Sequence, residues 1–514
     1  MVHEMTGTGG ASDAATSRML AKIVATIGPA SDSPEMVRRL IEAGVSVFRF
    51  NFSHGDFEGH AARLATVRRV AGELGRPVAC LGDLQGPKIR VGRVPEGGIA
   101  VEAGQDVVFR AGLAVATVES GTAVFPTTYE KLIDEVETGQ KVLVNDGAVR
   151  MLAVGRDYEK RELHCRVIIG GLVTSGKGIN LPQSSISAPA ITDRDWECVD
   201  WAFEHGLDFL ALSFVRRAEE VLELKRYLAA RCPAGREHET EFSRCWIPVI
   251  AKIEKPQALT NIREIVAAAD GIMVARGDLG VEMDIARVPV AQKEILAACA
   301  EAGKPCIVAT QMLETMIENA TPTRAEASDV ANAVFDGADA VMLSAETATG
   351  KHPALVVETM RRIVCAAESR LSQTGMHRVG PTAHPETHRG TAALAHGAAQ
   401  VATDLGATVI VVWSERGGTA RYLSQYELMI PIVAWSSDPV STRRMALLRG
   451  VTGVCQAPPD SGHLRDWSEQ ADALLIERGF AKRGDAAVLL AGRPLGQAKA
   501  TNTITIHRVG EGAM

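Results

Sequence analysis

The chain has 514 residues, 46% of them hydrophobic and only 4% aromatic, with a formal net charge of −7. Length alone suggests about three domains, and the acidic balance excludes a broad nucleic-acid-binding surface, which needs a basic excess. Nine scattered cysteines without a C-x-x-C pair read as the reduced thiols of a cytoplasmic protein, not as a disulfide framework or zinc site, and no apolar run reaches the ~18 residues of a membrane span.

Residues 1–17 are rich in Gly, Ser, Thr and Ala and lack an apolar signal core, so they read as a disordered tail. The apolar run 21–27 predicts a strand ending in Gly28-Pro29. Run 45–50 predicts a second, ending in Asn51-Phe52-Ser53-His54-Gly55, and run 78–81 a third, ending in Asp83. The pattern then changes. Between Asp83 and Ser187 lie short β-rich runs separated by glycine (107–109, 141–144, 149–154, 163–169) and one short helix near 129–135. Such runs read as a small β-barrel. Inserted at a strand tip, it acts as a lid, with Pro87 and Pro189 flanking its hinges. Run 207–212 predicts a fourth strand, ending in Ser213-Phe214; runs 247–253, 271–274, 306–309 and 340–343 complete eight. Helix-like segments such as 290–302 separate them. Repeated strand, tip and helix imply a closed (β/α)8 TIM barrel that carries its chemistry on the C-terminal strand tips.

Residues 371–390, rich in His, Pro, Gly and Thr, read as a linker. A helix over 392–404 follows, then strands at 409–412, 432–434, 451–454, 487–490 and 503–507, a separate C-terminal α/β domain. The expected division is a barrel over 18–86 and 188–370, a lid over 87–187, and a C-terminal domain over 391–514.

The barrel tips carry Lys252 and Glu254, Arg276-Gly277-Asp278, Thr310-Gln311, and Ser344 with Glu346. A lysine, carboxylates and a threonine on one rim suggest a metal-assisted site for an anionic substrate. Glu254 and Asp278 offer two hard oxygen ligands with room for water and substrate, which suits Mg2+; taken singly, each would read as a helix cap. Lys252 lies two residues before Glu254 and so shares its strand face. Its ammonium can stabilise a phosphoryl group in flight, or it is only the ion-pair partner of Glu254. Arg49 alternates with Asn51 and Ser53 along one strand face, and its paired donors suit a phosphate.

Several long words of the sequence resemble the core of pyruvate kinase: Lys252-Ile253-Glu254, Met273-Val274-Ala275-Arg276-Gly277-Asp278-Leu279-Gly280-Val281-Glu282, Ala309-Thr310-Gln311-Met312 and Pro322-Thr323-Arg324-Ala325-Glu326. They fall in family order, and the resemblance covers nearly the whole chain beyond the first ~17 residues. It implies transfer of the phosphoryl group of phosphoenolpyruvate to ADP, giving pyruvate and ATP, the last step of glycolysis. It also implies Mg2+ (or Mn2+) on Glu254 and Asp278, with Gly277, Asp278, Thr310, Arg49 and Lys252 at the substrate. Thr310 is expected to help protonate the enolpyruvate through water, because a lone threonine is far too weak an acid; the plainer alternative is a hydroxyl closing a rim hydrogen bond.

By the same resemblance Pro29, His54, Arg90 and Lys177 border the nucleotide. Asn51, Ser53, Asp83 and the Leu84 carbonyl form a monovalent-cation site. Family members with Glu where this chain has Lys88 are typically K+-dependent, and those with Lys are not. An ammonium near Asp83 can replace the bound ion, so K+ independence is expected, unless Lys88 merely faces solvent. In the C-terminal domain the loop Trp413-Ser414-Glu415-Arg416-Gly417-Gly418-Thr419-Ala420 opens a helix, a phosphate-cradling context. It places Glu415 and Gly418 where bisphosphate-regulated relatives carry Lys and Arg, which disfavours a bisphosphate and leaves another phosphorylated effector, or none. The loop from Gly492 to Gln497 supplies Arg493. A homotetramer is implied by the family alone. The competing readings are a Mg2+-dependent aldolase barrel and a catalytically silent metabolite sensor.

Overall fold

The computed structural model describes residues 18–232, 246–374, 380–382, 386–426, 428–493, 495–496 and 501–511. The expected disordered tail lies outside them. Eight parallel strands form a closed barrel: β1 (Lys22–Thr26), β2 (Val45–Asn51), β3 (Ala79–Asp83), β4 (Phe209–Leu212), β5 (Val249–Ile253), β6 (Gly271–Ala275), β7 (Cys306–Ala309) and β8 (Ala340–Leu343). Around the ring each strand neighbours the next in sequence, and β8 returns to β1. The strands read as continuous apolar runs because barrel strands are covered on both faces; β1, β3 and β5 are buried along their whole length. Gly271 is glycine for want of space. A Cβ there would lie 2.8 Å from the Ile250 side chain and 3.0 Å from the Pro305 carbonyl.

Helix starts carry their expected chemistry. Ser33 caps the helix Pro34–Ala43 by accepting from the Met36 amide at 3.2 Å, and Gly44, at φ 126°, ends it. Thr192 and Asp195 form a capping box at the head of Asp193–Glu204, as Thr323 and Glu326 do at Arg324–Phe335.

The insertion after β3 is all β apart from the short helix Leu132–Glu135. Strand Val149–Asp157 buries Val149, Met151 and Ala153 and exposes Arg150 and Val154, the alternation of a half-covered sheet. These residues share one core with Phe109, Phe125 and Leu163. The ladders of this small β-barrel form a seven-stranded sheet and a two-stranded ribbon, Ile99–Val101 with Gly171–Val173. Closure is left to single bridges, Arg90 with Gly178 and Val91 with Thr127.

After β8, helix Pro353–Thr374 runs into the expected linker, and helix Arg389–Leu405 begins before its end. The C-terminal sheet has the order Val451–Cys455, Ile432–Ser436, Val409–Trp413, Ala486–Gly492, Thr501–Arg508, with the last strand antiparallel. Two of the expected C-terminal loop residues, Pro494 and Gln497, lie outside the described residues.

Candidate active site

The candidate residues of β2 to β7 fall in one compact unit, residues 48–65 and 80–311. At its centre is Lys252 on β5. Its Nζ lies 2.9 Å from Glu254 Oε1 and 3.1 Å from Asp83 Oδ1, and donates to Ser213 Oγ at 2.7 Å. Lys252 is almost wholly buried. Burial alone would discharge it, but the charges of Asp83 and Glu254 outweigh that and hold its pKa above the ordinary lysine value. Asp83 is the counterpart. Burial works to raise it, and Lys252 and Arg49 together keep it below the usual carboxylate range. Arg49 Nε donates to Asp83 Oδ2 at 2.6 Å, which fixes the guanidinium plane at the tip of β2.

Glu254 is buried, and burial raises its pKa against the pull of Lys252, with Asp278 adding repulsion. Its second oxygen accepts from the Phe214 amide at 2.7 Å. Asp278 opens the short helix Arg276–Glu282 beyond β6. Lys252 and the Phe214 amide thus each take up one oxygen of Glu254, and Asp278 repels it. A divalent cation between Glu254 and Asp278 would relieve that repulsion. A pair of carboxylates fits Mg2+, which keeps waters and substrate oxygens as its other ligands.

Thr310 follows β7 with φ 69°, and Gln311 with φ 53°, both in the left-handed region. The Thr310 hydroxyl accepts from the Gly277 amide at 2.7 Å and donates to the Ala309 carbonyl at 2.6 Å. The rim hydrogen bond weighed against the proton-relay role is therefore formed here, and it engages the Gly277 amide as well. Arg276, which the sequence reading left without a role, braces this turn by donating to the Thr310 carbonyl at 2.9 Å.

Three of the four oxygens expected to hold a monovalent cation are engaged. Asp83 meets two cations, the Leu84 carbonyl accepts from Ser213 Oγ at 2.7 Å, and Asn51 Oδ1 accepts from the Ser53 amide at 3.2 Å. Among the described residues Lys88 makes no ion pair with Asp83. It is exposed and, among the described residues, has no ion-pair partner. The positive charge at Asp83 comes from Arg49 and Lys252.

Lys88 instead lines a cleft of about 460 Å³ with His54, Arg90, Lys177, Arg216 and Lys255. Five cations in a lining that also holds Asp146 and Asp278 make a site for a polyanion. Arg90 Nη1 donates to the Gly176 carbonyl at 2.7 Å, so both ends of the insertion meet at this cleft. Pro29 is exposed beyond β1. Sequence reasoning missed Asp195 and Arg216. Asp195 accepts from the Gln85 and Gly86 amides, and Arg216 donates to the Ile186 and Ala188 carbonyls. These are contacts between a side chain and distant backbone, which no periodicity marks.

A closed barrel whose rim gathers a lysine, an arginine and acidic groups beside a cationic cleft defines a (β/α)8-barrel enzyme of phosphorylated anions. Residues 18–357 match the family profile "Pyruvate kinase, barrel domain", and residues 392–507 match "Pyruvate kinase, alpha/beta domain". The chain is 42% identical to the pyruvate kinase of Mycobacterium intracellulare, over 95% of this chain and 98% of that one, and 41% identical to that of Mycobacterium tuberculosis over the same shares. A crystal structure of a pyruvate kinase from Cryptosporidium parvum superposes with a TM-score of 0.83 at 33% identity, covering 96% of each chain. The chain belongs to the pyruvate kinase family and is a phosphotransferase.

Proposed function

We propose that this enzyme moves the phosphoryl group of phosphoenolpyruvate to ADP, with Mg2+, and needs no K+. The observation that carries the reading is the buried cluster of Lys252, Asp83, Glu254 and Arg49, charged groups preorganised where charge develops. Glu254 and Asp278 would hold Mg2+, which would supply positive charge to the phosphoryl oxygens and the enolate. Arg49 clamps the phosphoryl group, and Lys252 stabilises it in flight. Gly277, Asp278 and Thr310 border the substrate. Thr310 serves as a relay through water once its hydroxyl turns from the Ala309 carbonyl. Arg90, Lys177 and His54 bind the nucleotide in the cationic cleft, and Pro29 joins them by family resemblance.

K+ independence rests on a different support from the one the sequence offered. Asp83 is already matched by Arg49 and Lys252, and Lys88 adds charge at the lid crossing nearby. In the C-terminal loop the Glu415 carboxylate accepts from Trp413 Nε1 at 3.1 Å, from the Ser437 amide at 3.2 Å and from the Ser437 hydroxyl. This places a bonded carboxylate at the loop, so a sugar bisphosphate does not activate through it. Assembly as a homotetramer and a cytoplasmic location are taken from the family.

The test is pyruvate formation from phosphoenolpyruvate, ADP and Mg2+, with K+ or with a bulky organic cation. Equal rates support both claims. Activity only with K+ keeps the kinase and discards the K+ claim. Cleavage of an aldol substrate with no phosphoryl transfer would install the aldolase reading, and no turnover of either would leave the sensor.

A further inference from the structure

The four residues that leave β4, Ser213 to Arg216, touch both lid crossings and both charged groups of β5. Ser213 Oγ donates to the Leu84 carbonyl on the first crossing and accepts from Lys252. The Phe214 amide donates to Glu254 Oε2. Phe214 has φ 54°, a strained value for a bulky residue. Its ring closes on Gly86 of the first crossing, where a Cβ would stand 2.8 Å from the ring edge and φ is 69°.

Arg216 holds the second crossing. Its Nη1 donates to the Ile186 carbonyl at 2.6 Å and its Nη2 to the Ala188 carbonyl at 2.9 Å. Its Nε donates to Glu220 Oε1 at 2.9 Å, and its own amide donates to Glu220 Oε2 at 2.7 Å. Asn261 Nδ2 pins its carbonyl at 2.9 Å. The guanidinium plane is thus fixed on one edge by the barrel helix and holds the lid's return crossing with the other.

We propose that Arg216 is a positioning residue for the divalent-metal site: it transmits the position of the lid's return crossing through the strap to the Phe214 amide, and so sets the orientation of the Glu254 carboxylate. The strain at Phe214 persists because the strap is fixed at both ends. Releasing one end lets the amide turn from Glu254. The inference rests on the reading of Glu254 as a metal ligand.

The test uses the full chain with Arg216→Gln, Arg216→Lys and Gly86→Ala. Mn2+ binding without nucleotide is followed by electron paramagnetic resonance, alongside hydrogen exchange at 213–216 and steady-state kinetics. Arg216→Gln is expected to weaken Mn2+ binding about ten-fold or more, as loss of a group orienting a metal ligand does, and to speed exchange at 213–216. The KM for ADP rises while kcat falls, the pattern of a hinge lesion. Arg216→Lys does not rescue, because one ammonium cannot hold two carbonyls and Glu220 in a plane. Mn2+ affinity within about two-fold of wild type, with only the lid made looser, would overturn the proposal and leave Arg216 a structural anchor. If Arg216→Gln does not fold, Gly86→Ala displaces the Phe214 ring from the other crossing, and unchanged Mn2+ affinity there overturns it equally. Wild-type protein that binds Mn2+ without transferring phosphoryl groups would sink the kinase reading and still leave the affinity comparison decisive.

Discussion

Lys252 carries its charge because three partners compensate its burial: Asp83, Glu254 and Ser213. Replacing it with methionine keeps the bulk and removes the cation. Lys252→Met should lose about 10²–10³ in turnover, by comparison with removal of one oxyanion donor, measured as kcat at saturating substrates. A mutant with wild-type kcat would reduce Lys252 to an ion-pair partner of Glu254. Much of this site was legible in the sequence, because the strand period places Lys252 and Glu254 on one face, and Arg49, Asn51 and Ser53 on another. The period does not say who pairs with whom. It gave Lys88 to Asp83, whereas the structure pairs Asp83 with two cations from other barrel strands, Arg49 of β2 and Lys252 of β5. It also could not show that the Thr310 hydroxyl and the Gly277 amide bond to each other.

At the scale of elements, the eight barrel strands were legible because each is a continuous apolar run ended by a polar tip. The lid was half legible. Strand Thr117–Glu119 is exposed throughout, Ile99–Val101 and Gly171–Val173 have three residues each, and Ile179–Asn180 has two. Such strands show too little alternation to be read. The word Pro322-Thr323-Arg324-Ala325-Glu326 was legible as a motif, and its physical content emerges as a helix start. Glu326 accepts from the Thr323 amide at 2.8 Å and hydroxyl at 2.9 Å, and reaches back to the Thr315 amide at 2.7 Å and hydroxyl at 2.6 Å. It ties the loop after β7 to the helix before β8. Thr323→Ala should cost about 1 kcal/mol locally, and Glu326→Ala more, because it orphans four donors. Hydrogen exchange over 324–335 measures both. Equal protection in the two variants would mean that packing, not the cap, holds this helix.

At the scale of the molecule, the base of the barrel meets the C-terminal domain within the second compact unit, residues up to 47, 66–79 and 312 onward. The contact is polar and buried. Lys22 of β1 donates to the Val451 carbonyl at 2.7 Å. Glu368 accepts from the Leu20 and Ala21 amides at 2.9 and 2.7 Å, and lies 3.7 Å from Arg449. Burial pushes the Lys22 pKa from 10.5 down to about 8, with Glu368 opposing and Arg449 adding to the fall. Between those values the unfolded chain holds a proton that the folded chain has released, so stability from this group rises with pH. It is fully present above 10.5 and lost as pH falls through 8. Over the whole window the change is on the order of 3 kcal/mol. Lys22→Met removes the titration. The difference in melting temperature, wild type minus Lys22→Met, should therefore increase from pH 7.5 to about 9.5. A difference that stays flat would mean that Glu368 keeps Lys22 charged throughout. The junction between barrel and C-terminal domain would then be an ion pair that ordinary pH does not loosen, and a signal crossing it would have to move the groups instead of the proton.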